Sequence, residues 1–127
     1  LLDDAVAHRQ AQAGPGSLVV KKENGDFYDR FRGRITFAIK NLTSQVVAFG
    51  ARRLANDNSP KYINSPETDI YQKRLILYGL HSSREYIRQV DEVIIVEGYT
   101  DLTSLCRIRI NNVVATSGTA LTEDHAR

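Results

Sequence analysis

The sequence predicts an α/β protein in which an α+β part with antiparallel strands precedes the first β-α-β unit of a parallel sheet. Residues 93–96 are four consecutive β-branched side chains, a pattern typical of a parallel strand that is buried on both faces. Two earlier runs rich in β-branched and aromatic residues, 35–39 and 45–50, are separated by a short polar segment and favour an antiparallel pair. We therefore expect two kinds of sheet in one chain.

Composition limits the classes of protein to which the chain can belong. Its 127 residues, 42% of them hydrophobic, suffice for one globular domain or for two small lobes that share an interface. The single Cys106 excludes a disulfide framework within the chain, is expected to lie in the core, and is typical of a reducing, cytoplasmic compartment. No apolar run approaches the ~18 residues of a membrane span, so we expect no membrane association.

Charge is distributed unevenly along the sequence. Residues 1–16 have a net charge of −1, and we interpret them as a linker or as part of a truncated preceding element. Residues 17–90 contain 13 Lys and Arg against 7 acids and are expected to form a basic N-terminal subdomain. Residues 91–127 contain 3 against 6 and are expected to begin a second, incomplete domain. This division suits an enzyme that holds a polyanion with one part and a metal ion with the other.

Local signals place further elements of the basic subdomain. The Asn-Gly pair at residues 24–25 predicts a hairpin turn. The Ser-Pro pair at residues 65–66 is typical of a helix start, with serine as the cap and proline at the first helical position. Another helix is predicted over residues 82–89, with Tyr86 and Ile87 facing the interior.

Three arginines alternate in the segment that follows the hairpin. Side chains two residues apart share one face of an extended segment, so Arg30, Arg32 and Arg34 would lie together. Guanidinium groups repel one another unless an anion lies between them, which favours an anion-binding surface. The pattern leaves open a second interpretation, in which exposed arginines pair with Asp29 or Glu85.

A second basic segment combines three kinds of contact group. Lys61 offers a point charge, Tyr62 an aromatic face and Asn64 an amide, the mixture that contacts to single-stranded nucleic acid use. Each residue alone is more often an ordinary surface residue.

Two acids follow the predicted parallel strand. Glu97 stands at its carboxyl end, the edge where open α/β sheets bind ligands, and Gly98 gives the backbone freedom to turn into a helix. Asp101 follows in the first helical turn, near the positive end of the helix dipole. Two carboxylates at such an edge suit Mg²⁺ or Mn²⁺. The pattern also fits a plain capping aspartate and an exposed glutamate.

The predicted β-α-β unit closes with a second strand over residues 113–115. Residues 118–119 then lie at its carboxyl end, on the same edge as Glu97, because β-α-β crossovers are nearly always right-handed. Thr122 is expected to cap the next helix, and His125 is expected to be a solvated residue of that helix.

The amino-acid sequences of several segments resemble motifs of one family. Val-Glu-Gly-Tyr-Thr-Asp at residues 96–101 resembles the glutamate motif of Toprim domains, in the version of bacterial DnaG-type DNA primases. Further blocks that resemble this family, in the same order, are residues 28–34, 48–52, 60–68, 77–80 and 115–122. The resemblance implies that residues 91–127 are the start of a Toprim domain.

The resemblance also implies an activity. Such primases are DNA-dependent RNA polymerases that synthesise short RNA primers on a single-stranded DNA template from ribonucleoside triphosphates, by metal-dependent nucleotidyl transfer. Glu97 would be the metal ligand or the base beside it and Asp101 a supporting acid, whereas Tyr62 would be a packing residue. The implied contacts to nucleic acid and nucleotide are Arg30, Arg32, Arg52, Lys61, Asn64 and Tyr99.

The sequence departs from the family pattern in several respects. An Asp-x-Asp pair on a later strand completes the metal site of Toprim domains, and no such pair occurs up to Arg127. The zinc-binding domain and the domain that contacts the replicative helicase are also absent from this chain. We therefore expect the chain alone to bind metal weakly and not to polymerise. Thr100 stands where the family commonly has Met.

Two other functions remain open at this point. One is a module that only binds single-stranded DNA and uses a Toprim-like part as a non-catalytic scaffold. The other is a different Toprim enzyme, such as a nuclease or a mobile-element primase.

Overall fold

The structure is a computed structural model that describes residues 19–21 and 23–127. The predicted linker at residues 1–16 lies outside the described residues. Those residues form strands β1 Val19–Lys21, β2 Phe27–Asp29, β3 Arg34–Lys40, β4 Val46–Arg53, β5 Tyr62–Asn64, β6 Ile94–Val96 and β7 Val113–Ala115. Their helices are α1 Leu80–Val90, α2 Tyr99–Arg107 and α3 Glu123–Ala126.

Antiparallel pairing dominates the first part of the chain, as the sequence predicts. β1 and β2 form a hairpin whose turn contains Gly25 at φ +91°, a left-handed conformation that glycine adopts readily. β3, β4 and β5 form a three-stranded antiparallel sheet in that order. The predicted fold class, an α/β protein with an antiparallel part and a parallel part, is confirmed.

The second part contains the predicted β-α-β unit. β6 and β7 pair in parallel, with α2 as the crossover between them. The expectation that residues 93–96 are buried on both faces is wrong, because Ile94 is 38% and Ile95 43% exposed. β6 pairs only with β7 among the described residues and so forms an edge, whereas β7 is the strand that is fully buried.

One hydrophobic core joins the two parts of the chain. Phe37 and Ile39 of β3 pack in the same cluster as Leu102 of α2 and Val113 of β7. The buried hydroxyl of Ser83 in α1 donates to the Val113 carbonyl at 2.6 Å, which attaches that helix to β7. The two parts of the chain on either side of the predicted boundary at residue 90 therefore share one hydrophobic core.

Three local predictions are wrong. Residues 30–33 form a turn instead of a strand, so the alternating arginines do not share one strand face. No helix begins at residues 65–66, because the Ser65 N–H and hydroxyl both bond to the backbone of Phe49 and extend the pairing with β4. Tyr86 is 44% exposed, and the inward position on α1 belongs to Ser83.

The helices of the described part of the chain are too short or too polar for a membrane span.

Candidate functional site

An open cleft of about 580 Å³ lies where β5 approaches the carboxyl edge of the parallel pair. One wall contains residues 61–64 and Lys73, and the other contains residues 97–101 and 117–118. The backbone explains the second wall: Thr116 N–H donates to the Val96 carbonyl and Ser117 N–H to the Glu97 carbonyl, both at 3.0 Å. The loop after β7 therefore lies beside the end of β6, on the edge that the sequence predicts.

The acidic wall presents two carboxylates. Glu97 is exposed at the end of β6, and the Asp101 carboxylate accepts a hydrogen bond from Gly98 N–H at 3.2 Å at the start of α2. Gly98 has φ −124°, an ordinary extended conformation, so the backbone freedom predicted for it is not used. Its missing side chain instead leaves room for Asp101, whose Oδ2 would lie 3.1 Å from an added Cβ.

These two carboxylates are the oxygen donors that a divalent cation would meet in the cleft. No group of three or more His, Cys, Asp or Glu side chains is close enough to form a metal site within residues 19–21 and 23–127. Mg²⁺ accepts one or two protein carboxylates when water and phosphates supply its other ligands. The donor set thus fits a hydrated ion that is shared with a phosphate-bearing ligand.

The basic wall contains Lys61 and Tyr62. The Lys61 Nζ lies 5.9 Å from the centre of the Tyr62 ring, and the Tyr62 hydroxyl is 3.2 Å from Thr100 Oγ1. Tyr62, which the sequence interpretation makes a packing residue, contacts the ring of Tyr99 with ring centres 6.4 Å apart, but it also lines the cleft and is 37% exposed. An exposed aromatic ring beside a cation is suited to stacking with a nucleic acid base.

Tyr99 and Asn64 connect the two walls. The Tyr99 hydroxyl donates to Asn64 Oδ1 at 2.8 Å, and Asn64 Nδ2 donates to the Ser117 carbonyl at 3.0 Å. Tyr99 is only 2% exposed, and burial raises the pKa of its hydroxyl. The assignment of both residues to nucleotide binding stays a prediction.

Two of the predicted arginines form hydrogen bonds with the segment that forms the basic wall. An Arg30 guanidinium nitrogen donates to the Asn64 carbonyl at 3.3 Å. Arg34 donates to the Lys61 carbonyl at 3.4 Å and to the Ser59 hydroxyl at 3.3 Å. Arginine therefore supports the backbone of the segment that carries Lys61 and Asn64.

The other predicted arginines occupy different positions. Arg32 is exposed in the turn before β3, and Arg52 is half-buried in β4, paired in register with Tyr62 of β5. The alternative pairing with acids is not observed: Asp29 accepts from the backbone of Phe31, and Glu85 pairs with arginines of its own helix. Nucleic-acid contact by Arg30, Arg32 and Arg52 stays a prediction.

Lys73 also lines the cleft, and no sequence pattern indicates it. Its N–H donates to Glu67 Oε1 at 2.8 Å, and its carbonyl is 2.8 Å from His125 Nε2. The expectation that His125 is solvated is therefore wrong, since its Nδ1 also accepts from Thr122 N–H at 3.2 Å. No local pattern could reveal a contact between residues 52 positions apart.

Family models match both parts of the chain. The model described as DNA primase catalytic core, N-terminal domain, matches residues 3–84, and the model of the Toprim domain matches residues 91–127.

Curated relatives with similar sequences are DNA primases. The chain is 46% identical over 112 residues to the DNA primase of Pseudomonas putida, covering 88% of this chain and 17% of that protein. It is 46% identical over 117 residues to the DNA primase of Halalkalibacterium halodurans, covering 91% of this chain and 19% of that protein. The chain therefore spans less than a fifth of the length of these relatives.

Solved structures with the same fold are also primases. A DNA primase domain from Pseudomonas aeruginosa has a TM-score of 0.78 and 45% identity, over 87% of this chain and 35% of that one. The Aquifex aeolicus primase, comprising zinc-binding and RNA polymerase domains, has a TM-score of 0.80 and 42% identity, over 85% and 27%. A DnaG primase catalytic domain bound to single-stranded DNA has a TM-score of 0.75 and 44% identity, over 85% and 34%.

Proposed function

The chain belongs to the DnaG-type DNA primase family, and we propose that it forms part of the catalytic cleft of an enzyme that synthesises RNA primers on single-stranded DNA. One observation carries the proposal: a single cleft brings together Lys61 and Tyr62, from the basic part of the chain, and Glu97, from the acidic part. Cations and carboxylates in one cleft can hold a polyanion together with its metal ion. The similarity to a DnaG catalytic domain bound to single-stranded DNA supports this template.

Glu97 and Asp101 would hold the divalent metal ion, Mg²⁺ or Mn²⁺. Asp101 already accepts a hydrogen bond from Gly98 at the start of α2, so we assign Glu97 as the direct ligand and Asp101 as a supporting acid. When bound, the ion supplies electrostatic stabilisation of the charge that develops on the reacting phosphates.

The basic wall would position the substrates. Nucleotidyl transfer depends mainly on positioning and on neutralising phosphate charge, so Lys61 and Lys73 would contact the phosphates of a ribonucleoside triphosphate. The exposed ring of Tyr62 offers a stacking face that accepts any base, as template copying requires. The exposed Arg32 would extend the cationic surface for the template and the growing RNA primer.

Substitution of Glu97 tests the proposal in the full-length protein that carries this chain. Glu97→Gln keeps the shape of the side chain and removes its charge, so we expect primer synthesis to fall at least about 100-fold, or about 2.7 kcal/mol of transition-state stabilisation. Primer length and yield are measured on a single-stranded template with all four ribonucleoside triphosphates.

Glu92→Gln is the matched control, because Glu92 is also exposed but precedes β6 and lies at its other end. It should retain full activity. A loss of less than about threefold in Glu97→Gln would remove Glu97 from the metal site. A full-length wild-type protein that binds single-stranded DNA and makes no primer would instead support the non-catalytic binding module.

A further inference from the structure

Asn64 uses both ends of its side-chain amide within the protein. Nδ2 donates to the Ser117 carbonyl at 3.0 Å, and Oδ1 accepts from the Tyr99 hydroxyl at 2.8 Å. A carbonyl can only accept a hydrogen bond, so Ser117 determines which end of the amide faces which partner. Because burial raises the pKa of Tyr99, its hydroxyl stays protonated at neutral pH and remains a donor.

The Tyr99 ring is held on several sides. It stacks on Phe37 with ring centres 4.8 Å apart and an interplanar angle of 9°, and it meets Tyr78 edge to face at 4.7 Å. Gly50 of β4 lies against the ring so closely that an added Cβ would be 2.2 Å from Tyr99 Cζ. The hydroxyl therefore has a position that the core determines, and Asn64 receives a fixed donor.

Ser117 transmits this restraint to the acidic wall. While its carbonyl accepts from Asn64, its N–H donates to the Glu97 carbonyl at 3.0 Å. Ser117 has φ +57°, a left-handed conformation that non-glycine residues adopt only with support from their surroundings. A continuous series of hydrogen bonds thus runs from Tyr99 through Asn64 and Ser117 to the backbone of Glu97.

We propose that Asn64 is a positioning residue that fixes the loop after β7, and through it Glu97, relative to the basic wall. This inference rests on the proposed function. It differs from the nucleotide contact that the sequence suggests for Asn64, because Oδ1 and one of the two N–H groups of Nδ2 have protein partners that fix the orientation of the amide. Asn64 would act on the geometry of the cleft without touching the substrate.

Steady-state kinetics of the full-length protein distinguish positioning from substrate contact. We expect Asn64→Ala to lower kcat for primer synthesis about tenfold or more and to leave KM for the ribonucleoside triphosphates within about twofold, because misplacement of Glu97 acts on the transition state. A KM that rises tenfold at unchanged kcat would show that Asn64 contacts the nucleotide and would overturn the proposal.

Tyr99→Phe provides a second variant that removes only the hydroxyl and leaves the packed ring. It should show the same kinetic pattern as Asn64→Ala, and the double variant should be no worse than Asn64→Ala alone, since all three interrupt one series of bonds. Tyr86→Phe, which removes an exposed hydroxyl on α1, is the matched control and should have wild-type kinetics. Effects that simply multiply in the double variant would contradict a shared path.

Hydrogen exchange separates failure of this inference from failure of the proposed function, because it needs no catalysis. In this chain, Asn64→Ala should speed exchange of the Ser117 amide, which donates to Glu97, at least about tenfold and leave the amides of β3 and β4 unchanged. Unchanged exchange at Ser117 would overturn the positioning role even if the protein proved to be a primase. Faster exchange in a protein without primase activity would overturn only the proposed function.

Discussion

Thr100 shows how a single residue shapes the cleft. Its Oγ1 lies 3.2 Å from the Tyr62 hydroxyl, so it joins the first turn of α2 to β5 across the cleft. A methionine at this position would offer only a weak thioether acceptor. Thr100 therefore supplies a polar contact for Tyr62 that a methionine would weaken.

Thr100→Val tests this contact, because valine keeps the shape of threonine and lacks the hydroxyl. Both partners are exposed, so we expect a loss of about 0.5–1 kcal/mol in binding of single-stranded DNA, which is about two- to fivefold in Kd. Tyr62→Phe should have the same effect, and the double variant should show no further loss. Thr100→Ser keeps the hydroxyl and serves as the control in fluorescence anisotropy with a labelled oligonucleotide. Equal losses in Thr100→Ser and Thr100→Val would show that the hydroxyl is not the cause.

Among the elements, the short helix α3 makes contacts that restrain the segment around Lys73 in the cleft. His125 Nε2 donates to the Lys73 carbonyl, and the Thr122 hydroxyl donates to the Arg74 carbonyl at 2.9 Å. Arg74 and Asp124 add an ion pair at 2.6 Å. The four residues of α3 have little helical stability of their own, so these contacts stabilise the helix and the segment together.

His125→Ala should therefore loosen the segment around Lys73. Only a neutral imidazole can donate from Nε2 while Nδ1 accepts, and alanine removes both bonds. We expect faster hydrogen exchange over residues 72–75 and a two- to tenfold weaker affinity for a ribonucleoside triphosphate, measured by calorimetry, since each bond contributes about 0.5–1.5 kcal/mol. Arg127→Ala removes only an exposed ion pair with Glu123 and should change neither quantity. Unchanged exchange in His125→Ala would show that α3 does not restrain Lys73.

Local patterns predicted some elements and not others for a physical reason. β3, β4 and α2 follow from residue periodicity and turn signals, which are properties of the nearby chain. The carboxyl end of a strand likewise predicted Glu97 and residues 118–119 on one edge, where the structure has them. Three other features depend on neighbours that are distant in the sequence. They are the degree of burial of β6, the contact of His125 with Lys73 and the extension of the β4 pairing by Ser65. A sequence pattern does not encode those neighbours directly.

At the scale of the whole molecule, the cleft lies where the basic part of the chain meets the acidic part. Residues 17–90 contain 13 Lys and Arg against 7 acids, while residues 91–127 contain 3 against 6. Lys61, Lys73 and Arg32 are not in ion pairs within the described residues, so their charges are available to an anion. Affinity for nucleic acid should accordingly come from the first part of the chain and fall with salt.

Salt dependence measures how many phosphates the basic wall neutralises. For single-stranded DNA, the logarithm of the binding constant falls by about 0.7 per log unit of salt for each phosphate neutralised. Arg32→Gln/Lys61→Gln should therefore weaken binding to this chain and reduce the slope by up to about 1.4 if each side chain neutralises one phosphate. Fluorescence anisotropy with a labelled single-stranded oligonucleotide over a range of NaCl concentrations gives both quantities.

Arg107→Gln/Arg109→Gln is the matched control, because it removes the same charge beside the far end of α2, roughly 9 Å along the helix from Asp101, the last residue of α2 that lines the cleft. If the basic wall binds the template, this control should leave the salt slope unchanged and weaken binding less than twofold at 0.15 M salt and above, where the Debye length is about 8 Å or less and a charge farther away is largely screened. Equal weakening in the two double variants would mean that net charge alone attracts the DNA. A slope near zero for the wild-type chain would contradict phosphate neutralisation by this surface altogether.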